Sequence, residues 1–234
     1  MTTFVLVPGA WLGGWTWSKV VPGLRRQGHE AYPVTLTGMG ERVHLLSESV
    51  GMDTAVNDVL NVVKYNGLDD IVLVGHSFAG KVAAAVADRI PERVGTVLYL
   101  DSFRPEKVKT PQGGFDPSGE FGPLPPGKVA FPLTEEIVNR IGPDVVGSDR
   151  RWLMYNATPW PKRLATDPIT LTGGIDSVRC AYIFCKQSGD PVEEIIAGKW
   201  GKLEGPYRVE DAGHWPMITR PEDLARDLIE LSVR

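Results

Sequence analysis

A serine in a glycine-rich turn is the residue of this sequence best suited to nucleophilic chemistry. Ser77 lies within residues 75–80, between the apolar run 71–74 and a segment, 81–89, whose apolar residues have helical spacing. A buried strand, a sharp turn and a helix together lift such a serine above the edge of a sheet. The turn also places backbone N–H groups at the start of a helix, where the helix dipole favours negative charge. The pattern therefore predicts a nucleophile with a backbone binding site for an oxyanion.

The motif G-x-S-x-G is met with one departure. Its fifth position is Ala79, and the second glycine, Gly80, follows one residue later. The added methyl group makes the turn tighter without excluding it. The alternative is that Ser77 only caps a helix, but the strand before it and the helix after it favour the nucleophile.

A serine hydroxyl needs a base to take its proton, and the base needs a third group to fix its tautomer. In parallel sheets, sites form where loops leave the carboxyl ends of the strands. Of the four histidines, His214 follows the last predicted strand in a turn that begins with glycine, so we predict that it is the base. His76 adjoins Ser77, and its side chain should point away from the hydroxyl.

Two aspartates compete for the role of the acid. Asp190 follows the fifth predicted strand of the sheet, and the proline after it is typical of a helix N-cap, a role it could combine with catalysis. Asp101 follows the fourth predicted strand directly. Either gives the chain order Ser, Asp, His, and we favour Asp190, with Asp101 as the alternative acid. Asp211 and Glu193 are weaker candidates.

The oxyanion requires two N–H donors. Phe78 supplies one, and the glycine-rich loop after the first strand supplies the other, from Ala10 or from Trp11 beside it. That loop does not match the dinucleotide motif G-x-G-x-x-G, and its bulky tryptophans would obstruct a pyrophosphate. Four tryptophans could form an apolar or aromatic substrate pocket, or could equally be core residues: Trp11, Trp152, Trp160 and Trp215.

Alternating strand and helix patterns predict an α/β fold with a mostly parallel sheet of about six strands flanked by helices. The alternation breaks after Asp101, where a long segment rich in proline and glycine carries scattered aromatic residues. A linker would not hold so many large apolar rings. We therefore predict a core formed by residues 1–103 and 177–234, with residues 104–176 inserted as a cap.

Composition excludes several classes of protein. The chain has 234 residues, 42% of them hydrophobic, and a net charge of −4, which favours a globular protein and gives no nucleic-acid footprint. The apolar runs are too short to span a bilayer, and the first residues do not form a signal peptide. Cys180 and Cys185 fall on opposite faces of one predicted strand, so a disulfide between them is not expected. We expect a cytoplasmic monomer or homodimer that binds no metal, nucleic acid or membrane.

The sequence resembles the α/β-hydrolase superfamily over nearly its whole length. The resemblance rests on residues 4–17, 36–45, 75–80, 99–103 and 213–214, and is greatest for the branch of plant methylsalicylate and polyneuridine-aldehyde esterases, hydroxynitrile lyases and their bacterial relatives. It implies the fold and ester hydrolysis through an acyl-enzyme without a cofactor. It further implies a Ser77–Asp190–His214 triad and an oxyanion hole formed by Ala10 and Phe78.

Three positions depart from that branch. Pro8 replaces a histidine beside the expected oxyanion hole, while Gly9 and Trp215 stand where the lyases carry threonine and lysine. Cyanohydrin cleavage is therefore not expected, and we predict a hydrolase of a small, apolar or aromatic carboxylic ester. The alternatives are a cofactor-free lyase, a hydrolase of amide, carbamate or C–C bonds on the same triad, and a ligand receptor without catalysis.

Overall fold

A computed structural model describes residues 1–105, 124, 127–199 and 201–233. Within this part of the chain, six strands form one parallel sheet in the order β2-β1-β3-β4-β7-β8, and two short strands, β5 and β6, pair antiparallel. The strands are β1 (Thr3–Val7), β2 (Glu30–Pro33), β3 (Ile71–His76), β4 (Val94–Leu100), β5 (Ala130–Phe131), β6 (Trp160–Pro161), β7 (Arg179–Cys185) and β8 (Tyr207–Glu210). The predicted α/β fold with a six-stranded sheet is confirmed.

Helices cover both faces of the sheet. The α-helices are α1 (Val21–Arg26), α2 (Met52–Tyr65), α3 (Ala79–Arg89), α4 (Glu135–Ile141), α5 (Gly147–Asn156), α6 (Lys162–Thr166), α7 (Val192–Ile196), α8 (Pro216–Thr219) and α9 (Pro221–Ser232). On one face, α2 and α3 pack with alternate strand residues such as Leu73 and Val97; on the other, α1 and α9 pack with Val74 and Leu98. β3 is buried on both faces, as expected for a central parallel strand.

The two strands at the centre carry the candidate site at their carboxyl ends. β3 pairs with β4 up to His76 and Leu100. The ladder extends one residue further, because the Ser77 N–H donates to the Leu100 carbonyl at 3.0 Å and the Asp101 N–H donates to the Ile183 carbonyl at 2.6 Å. Ser77 and Asp101 therefore leave adjacent strands at the same edge of the sheet.

The predicted cap, 104–176, is only partly described, since residues 106–123, 125 and 126 lie outside the described residues. Its described part contains α4, α5, α6 and the β5–β6 pair, and it contacts the loop after β1. The Trp11 indole N–H donates to the Phe131 carbonyl at 3.0 Å, and the Thr158 N–H donates to the Trp11 carbonyl at 2.9 Å. The boundaries between core and cap stay a prediction.

Among the described residues, no helix has both the length and the apolar character needed to cross a membrane. Cys180 and Cys185 are both free and buried in β7, as expected from their odd separation.

Two carboxyl groups meet where β8 packs against α9. Hydrogen bonding to Asp227, followed by burial, raises the pKa of Glu210 from 4.5 to about 7. A carboxyl whose pKa is raised by folding stabilises the folded state below its unfolded pKa, and this stabilisation is lost as pH rises through the folded pKa. The affected window therefore extends from 4.5 to about 7.

We expect Glu210→Gln to increase the melting temperature above this window, because the amide removes one of two facing charges. The measurement is the difference in Tm between variant and wild type at about pH 5 and about pH 8, which should be larger at the higher pH. Exposed Glu48 provides the control, Glu48→Gln, which should shift Tm equally at both. An equal shift for Glu210→Gln would contradict the pairing.

Candidate active site

Ser77 is held in a strained turn by close backbone packing. Its φ is +56°, in the left-handed region that residues with a side chain rarely adopt. A Cβ on Gly75 would lie 2.7 Å from the Ala79 carbonyl oxygen, and one on Gly80 would lie 2.2 Å from Ser102 Oγ. The departure at the fifth motif position is therefore tolerated, because the close contacts fall on Gly75 and Gly80. The Ser102 hydroxyl also donates to the Ser77 carbonyl at 2.7 Å.

Three side chains from distant parts of the chain form a continuous hydrogen-bonded series. Ser77 Oγ lies 2.9 Å from His214 Nε2, and His214 Nδ1 lies 2.6 Å from Asp101 Oδ2. The carboxylate can only accept, so His214 carries its proton on Nδ1 and its Nε2 is free to accept the serine proton. This is the arrangement that makes a serine hydroxyl nucleophilic.

Asp101, and not the favoured Asp190, contacts the base. The Asp101 side chain is 1% exposed, and its second oxygen, Oδ1, accepts from the Cys185 N–H at 2.9 Å and from the Ser188 hydroxyl at 3.3 Å. Asp190 is exposed at the end of the turn after β7, which presents buried Ser188 to the site instead. The assignment of Asp190, made from the residues and from the resemblance, was wrong.

The other predicted acids also lie apart from the base. Asp211 is exposed and accepts from the Gln187 amide at 2.9 Å, and Glu193 is exposed in α7. The N-cap residue of α7 is Pro191 and not Asp190, and no side-chain hydrogen bond caps this helix. The signal that identifies the acid is its distance from a strand end: Asp101 follows β4 by one residue, as Ser77 follows β3.

The backbone of His214 is fixed from two sides. Its N–H donates to the Ile141 carbonyl at the end of α4 at 2.7 Å, and its carbonyl accepts from His76 Nε2 at 2.8 Å. Gly213 allows the first contact, because a Cβ there would lie 2.2 Å from Asp144 Oδ1. The predicted base is thus positioned by the predicted cap on one side and by the neighbour of the nucleophile on the other.

The expected oxyanion donors lie close to the nucleophile. Phe78 is the N-cap residue of α3, and a Cβ on Gly9, next to Ala10, would lie 3.1 Å from Ser77 Cβ. Within the described residues, neither the Phe78 N–H nor the Ala10 N–H donates to a backbone carbonyl. Trp11, the alternative donor, has a φ of +67°. The N–H groups of Phe78 and of Ala10 or Trp11 are therefore candidate donors to a negatively charged oxygen.

An aromatic cluster, formed by Trp11, Phe78, Phe131 and Trp160, adjoins the nucleophile. The Trp160 ring centroid lies 5.2 Å from that of Phe78, 5.7 Å from that of Trp11 and 6.1 Å from that of Phe131. Phe78 is partly exposed whereas the other three rings are buried, so the cluster can offer an apolar wall beside Ser77.

Two of the four tryptophans proposed for the pocket pack with the core on the other side of the sheet. Trp215 is 0% exposed and packs against Gly142, where a Cβ would lie 2.4 Å from its ring. Trp152 packs edge-on against Trp15, and the Lys19 ammonium lies 5.4 Å from the Trp152 ring centroid. The Trp215 ring is fully buried in this packing, contrary to its pocket assignment, whereas the pocket assignment of partly exposed Trp152 stays a prediction.

Substitution of each of the two competing aspartates tests which one orients the base. We expect Asp101→Asn to lower kcat by about 10⁴-fold, because an amide would favour the wrong tautomer of the base. Asp190→Asn, the matched control, should leave kcat within about twofold, because an exposed side chain away from the base has little effect on it. Steady-state hydrolysis of an activated ester measures both, and a reversed result would restore Asp190 as the acid.

Gly213→Ala tests the positioning of the base by the predicted cap. The added methyl group would collide with Asp144 and displace the turn, so we expect kcat to fall by about 10–10²-fold. The double variant Gly213→Ala/Asp144→Ala removes the collision partner and should recover part of the loss. Unchanged kcat in the single variant, with its fold verified by circular dichroism, would contradict this packing.

Comparisons with known proteins identify the family of the chain. Residues 4–227 match the Alpha/beta hydrolase family. A carbendazim hydrolyzing esterase from Nocardioides sp. (strain SG-4G) is 32% identical, over 99% of this chain and 100% of that protein, and methylesterase 9 of Arabidopsis thaliana is 26% identical over 99% and 98%.

Solved structures share the fold. An extracellular alpha/beta-hydrolase from a Paenibacillus species has a TM-score of 0.84 at 20% identity, with 99% of each chain covered. Polyneuridine aldehyde esterase has a TM-score of 0.80 at 21% identity, with 100% of each chain covered. With a family match over nearly all its length and a full-length relative above 30% identity, this chain belongs to the α/β-hydrolase family.

Proposed function

We propose that this protein is a serine hydrolase that cleaves small carboxylic esters through an acyl-enzyme. The observation that carries the proposal is the series Ser77–His214–Asp101, with heavy-atom distances of 2.9 and 2.6 Å at the carboxyl edge of the sheet. The names of the full-length relatives, an esterase and a methylesterase, support the same class of reaction.

Acylation begins at Ser77. Its oxygen attacks the ester carbonyl carbon while the hydroxyl proton moves to His214 Nε2, and Asp101 stabilises the imidazolium that forms. The carbonyl oxygen becomes an oxyanion, which the N–H groups of Phe78 and Ala10 bind. The tetrahedral intermediate then breaks its bond to the alcohol oxygen, which leaves with the proton from His214.

Deacylation repeats these steps with water. His214 takes a proton from a water molecule, whose oxygen attacks the acyl carbon of the Ser77 ester. The second oxyanion is bound by the same N–H groups. Its collapse releases the carboxylic acid while the proton returns from His214 to Ser77. Each oxyanion donor contributes about 10²–10³-fold to such a reaction.

The aromatic cluster favours an apolar or aromatic substrate. Phe78 is partly exposed next to the nucleophile and is backed by the buried rings of Trp11 and Trp160, an apolar setting that suits a flat or apolar group of the acyl or alcohol part. Within the described residues, this apolar surface and the triad occur at the same edge of the sheet. We therefore assign small apolar or aromatic esters as the substrate class.

Carbamate hydrolysis is the second candidate function. The relative at 32% identity is named for hydrolysis of carbendazim, and the match covers its full length. A carbamate carbonyl can react by the same attack of Ser77 and the same transfer of its proton. Cyanohydrin cleavage is disfavoured, because a side chain at residue 9, where the lyases carry threonine, would collide with His76: its Cβ would lie 2.5 Å from Nδ1.

The cellular setting and the assembly remain predictions. Free, buried Cys180 and Cys185 fit a reducing compartment, which supports the assignment of the cytoplasm. Size-exclusion chromatography with light scattering would distinguish the expected monomer from the homodimer.

Ser77→Ala tests the mechanism. We expect the variant to fold normally and to lose about 10⁴-fold or more in kcat, because the substitution removes the hydroxyl that lies 2.9 Å from His214 Nε2. Reaction of the wild type with a fluorophosphonate should add one phosphonyl group to Ser77, identified by peptide mass spectrometry, and the variant should not react. Retained turnover or labelling elsewhere would refute the proposal.

A substrate panel then distinguishes the candidate functions. It contains aryl and methyl esters of aliphatic and aromatic acids, carbendazim, aryl carbamates, an anilide and mandelonitrile. Highest kcat/KM for an ester supports the leading proposal, and highest kcat/KM for a carbamate supports the second. Labelling by the fluorophosphonate without turnover of any panel member would point to a ligand receptor with a reactive serine.

A further inference from the structure

The neighbour of the nucleophile contacts both loops that complete the site. The His76 ring is 0% exposed. Its Nδ1 accepts from the Gly9 N–H at 3.0 Å, and its Nε2 lies 2.8 Å from the His214 carbonyl oxygen. Gly9 precedes the proposed oxyanion donor Ala10, while His214 is the proposed base.

The two hydrogen bonds determine the state of the ring. A carbonyl oxygen can only accept, so Nε2 of His76 carries the proton, and a backbone N–H can only donate, so Nδ1 carries none. A second proton on Nδ1 would face the Gly9 N–H, and the bond to the oxyanion loop would be lost. His76 is therefore a neutral imidazole of one fixed tautomer.

The electrostatics of the ring agree with this. Burial, and then the charge of nearby His214, lower the pKa of His76 well below its ordinary value. The two ring centroids are 4.7 Å apart. The lowered pKa favours the neutral ring that the two hydrogen bonds require.

We propose that His76 is a positioning residue, which uses its two ring nitrogens to set the spacing between the oxyanion loop at Gly9–Ala10 and the base His214. The proposal rests on the function proposed above. We expect both loops to shift relative to Ser77 if the ring is lost, because the ring joins them by hydrogen bonds to Gly9 and His214. A displacement of about 1 Å at a reacting group can cost about 10²-fold in rate.

Three substitutions separate the two bonds. His76→Asn keeps an acceptor near the Nδ1 position for Gly9 and loses the donor to His214. His76→Gln reaches the Nε2 position, keeps a donor to His214 and loses the acceptor for Gly9. His76→Phe fills the volume with neither bond. We expect kcat to fall about 10-fold for each one-sided variant and about 10²-fold for His76→Phe, with KM changed less than about threefold.

His29 provides the matched control. Its Nδ1 also accepts a backbone N–H, that of Thr2 at 3.1 Å, but just before β1 begins, at the opposite edge of the sheet from the triad. His29→Phe should leave kcat unchanged even if it lowers Tm. A fall in kcat for His29→Phe equal to that of His76→Phe would show that lost stability explains the result, and would overturn the proposal.

The rate of fluorophosphonate labelling separates this proposal from the ester function. Labelling needs the base and the oxyanion hole but no particular substrate, so the His76 variants should label about 10–10²-fold more slowly. If the wild type labels but cleaves no ester, the ester function fails while slower labelling of the variants still supports positioning. Wild-type labelling rates and kcat in all three variants would refute positioning alone.

Nitrogen NMR of the labelled histidine rings gives an independent readout. In the wild type, we expect one ring with a proton on Nε2 only, unchanged from about pH 5 to about pH 9 and after phosphonylation of Ser77. This signal should be missing in His76→Asn. A proton on Nδ1 of His76, or titration of its ring within this range, would contradict the two bonds and the proposal with them.

Discussion

The hydrogen bond between Asp101 and His214 is the interaction on which the site depends. The carboxylate is almost fully buried, and a buried charge is tolerated only when its lone pairs are satisfied. One oxygen faces the imidazole, and the other accepts from the Cys185 N–H and the Ser188 hydroxyl. The strands β4 and β7 and the turn after β8 are therefore joined at one buried charge.

Backbone strain is concentrated where these groups leave the sheet. Among the described residues, the residues other than glycine with positive φ are Trp11, Asp70, Ser77 and Asp101, and three of these four belong to the candidate site. Each such conformation costs about 1–3 kcal/mol. The surrounding ladder offsets this cost, and both Ser77 and Asp101 direct their side chains to His214.

The sequence was sufficient for the parts of the fold and the site that local pattern determines. The apolar run before Ser77 and the helical spacing after it identify the strand, the turn and the helix, and the last strand locates His214. Local pattern did not identify the acid, because Asp101 and Asp190 both follow strands. They differ in their distance from the strand end and in burial, and burial is visible only in the folded protein. Trp215 shows the same limit, since an aromatic residue next to the base in sequence can be fully buried in the core.

The residue types allowed at positions 9 and 76 depend on each other. Any side chain at residue 9 would collide with the imidazole, since its Cβ would lie 2.5 Å from Nδ1. A descendant that gained a threonine there, as in the related lyases, would first have to replace the histidine. Either single step alone breaks the bridge between the two loops, so the path from a hydrolase of this kind to a lyase crosses an impaired intermediate.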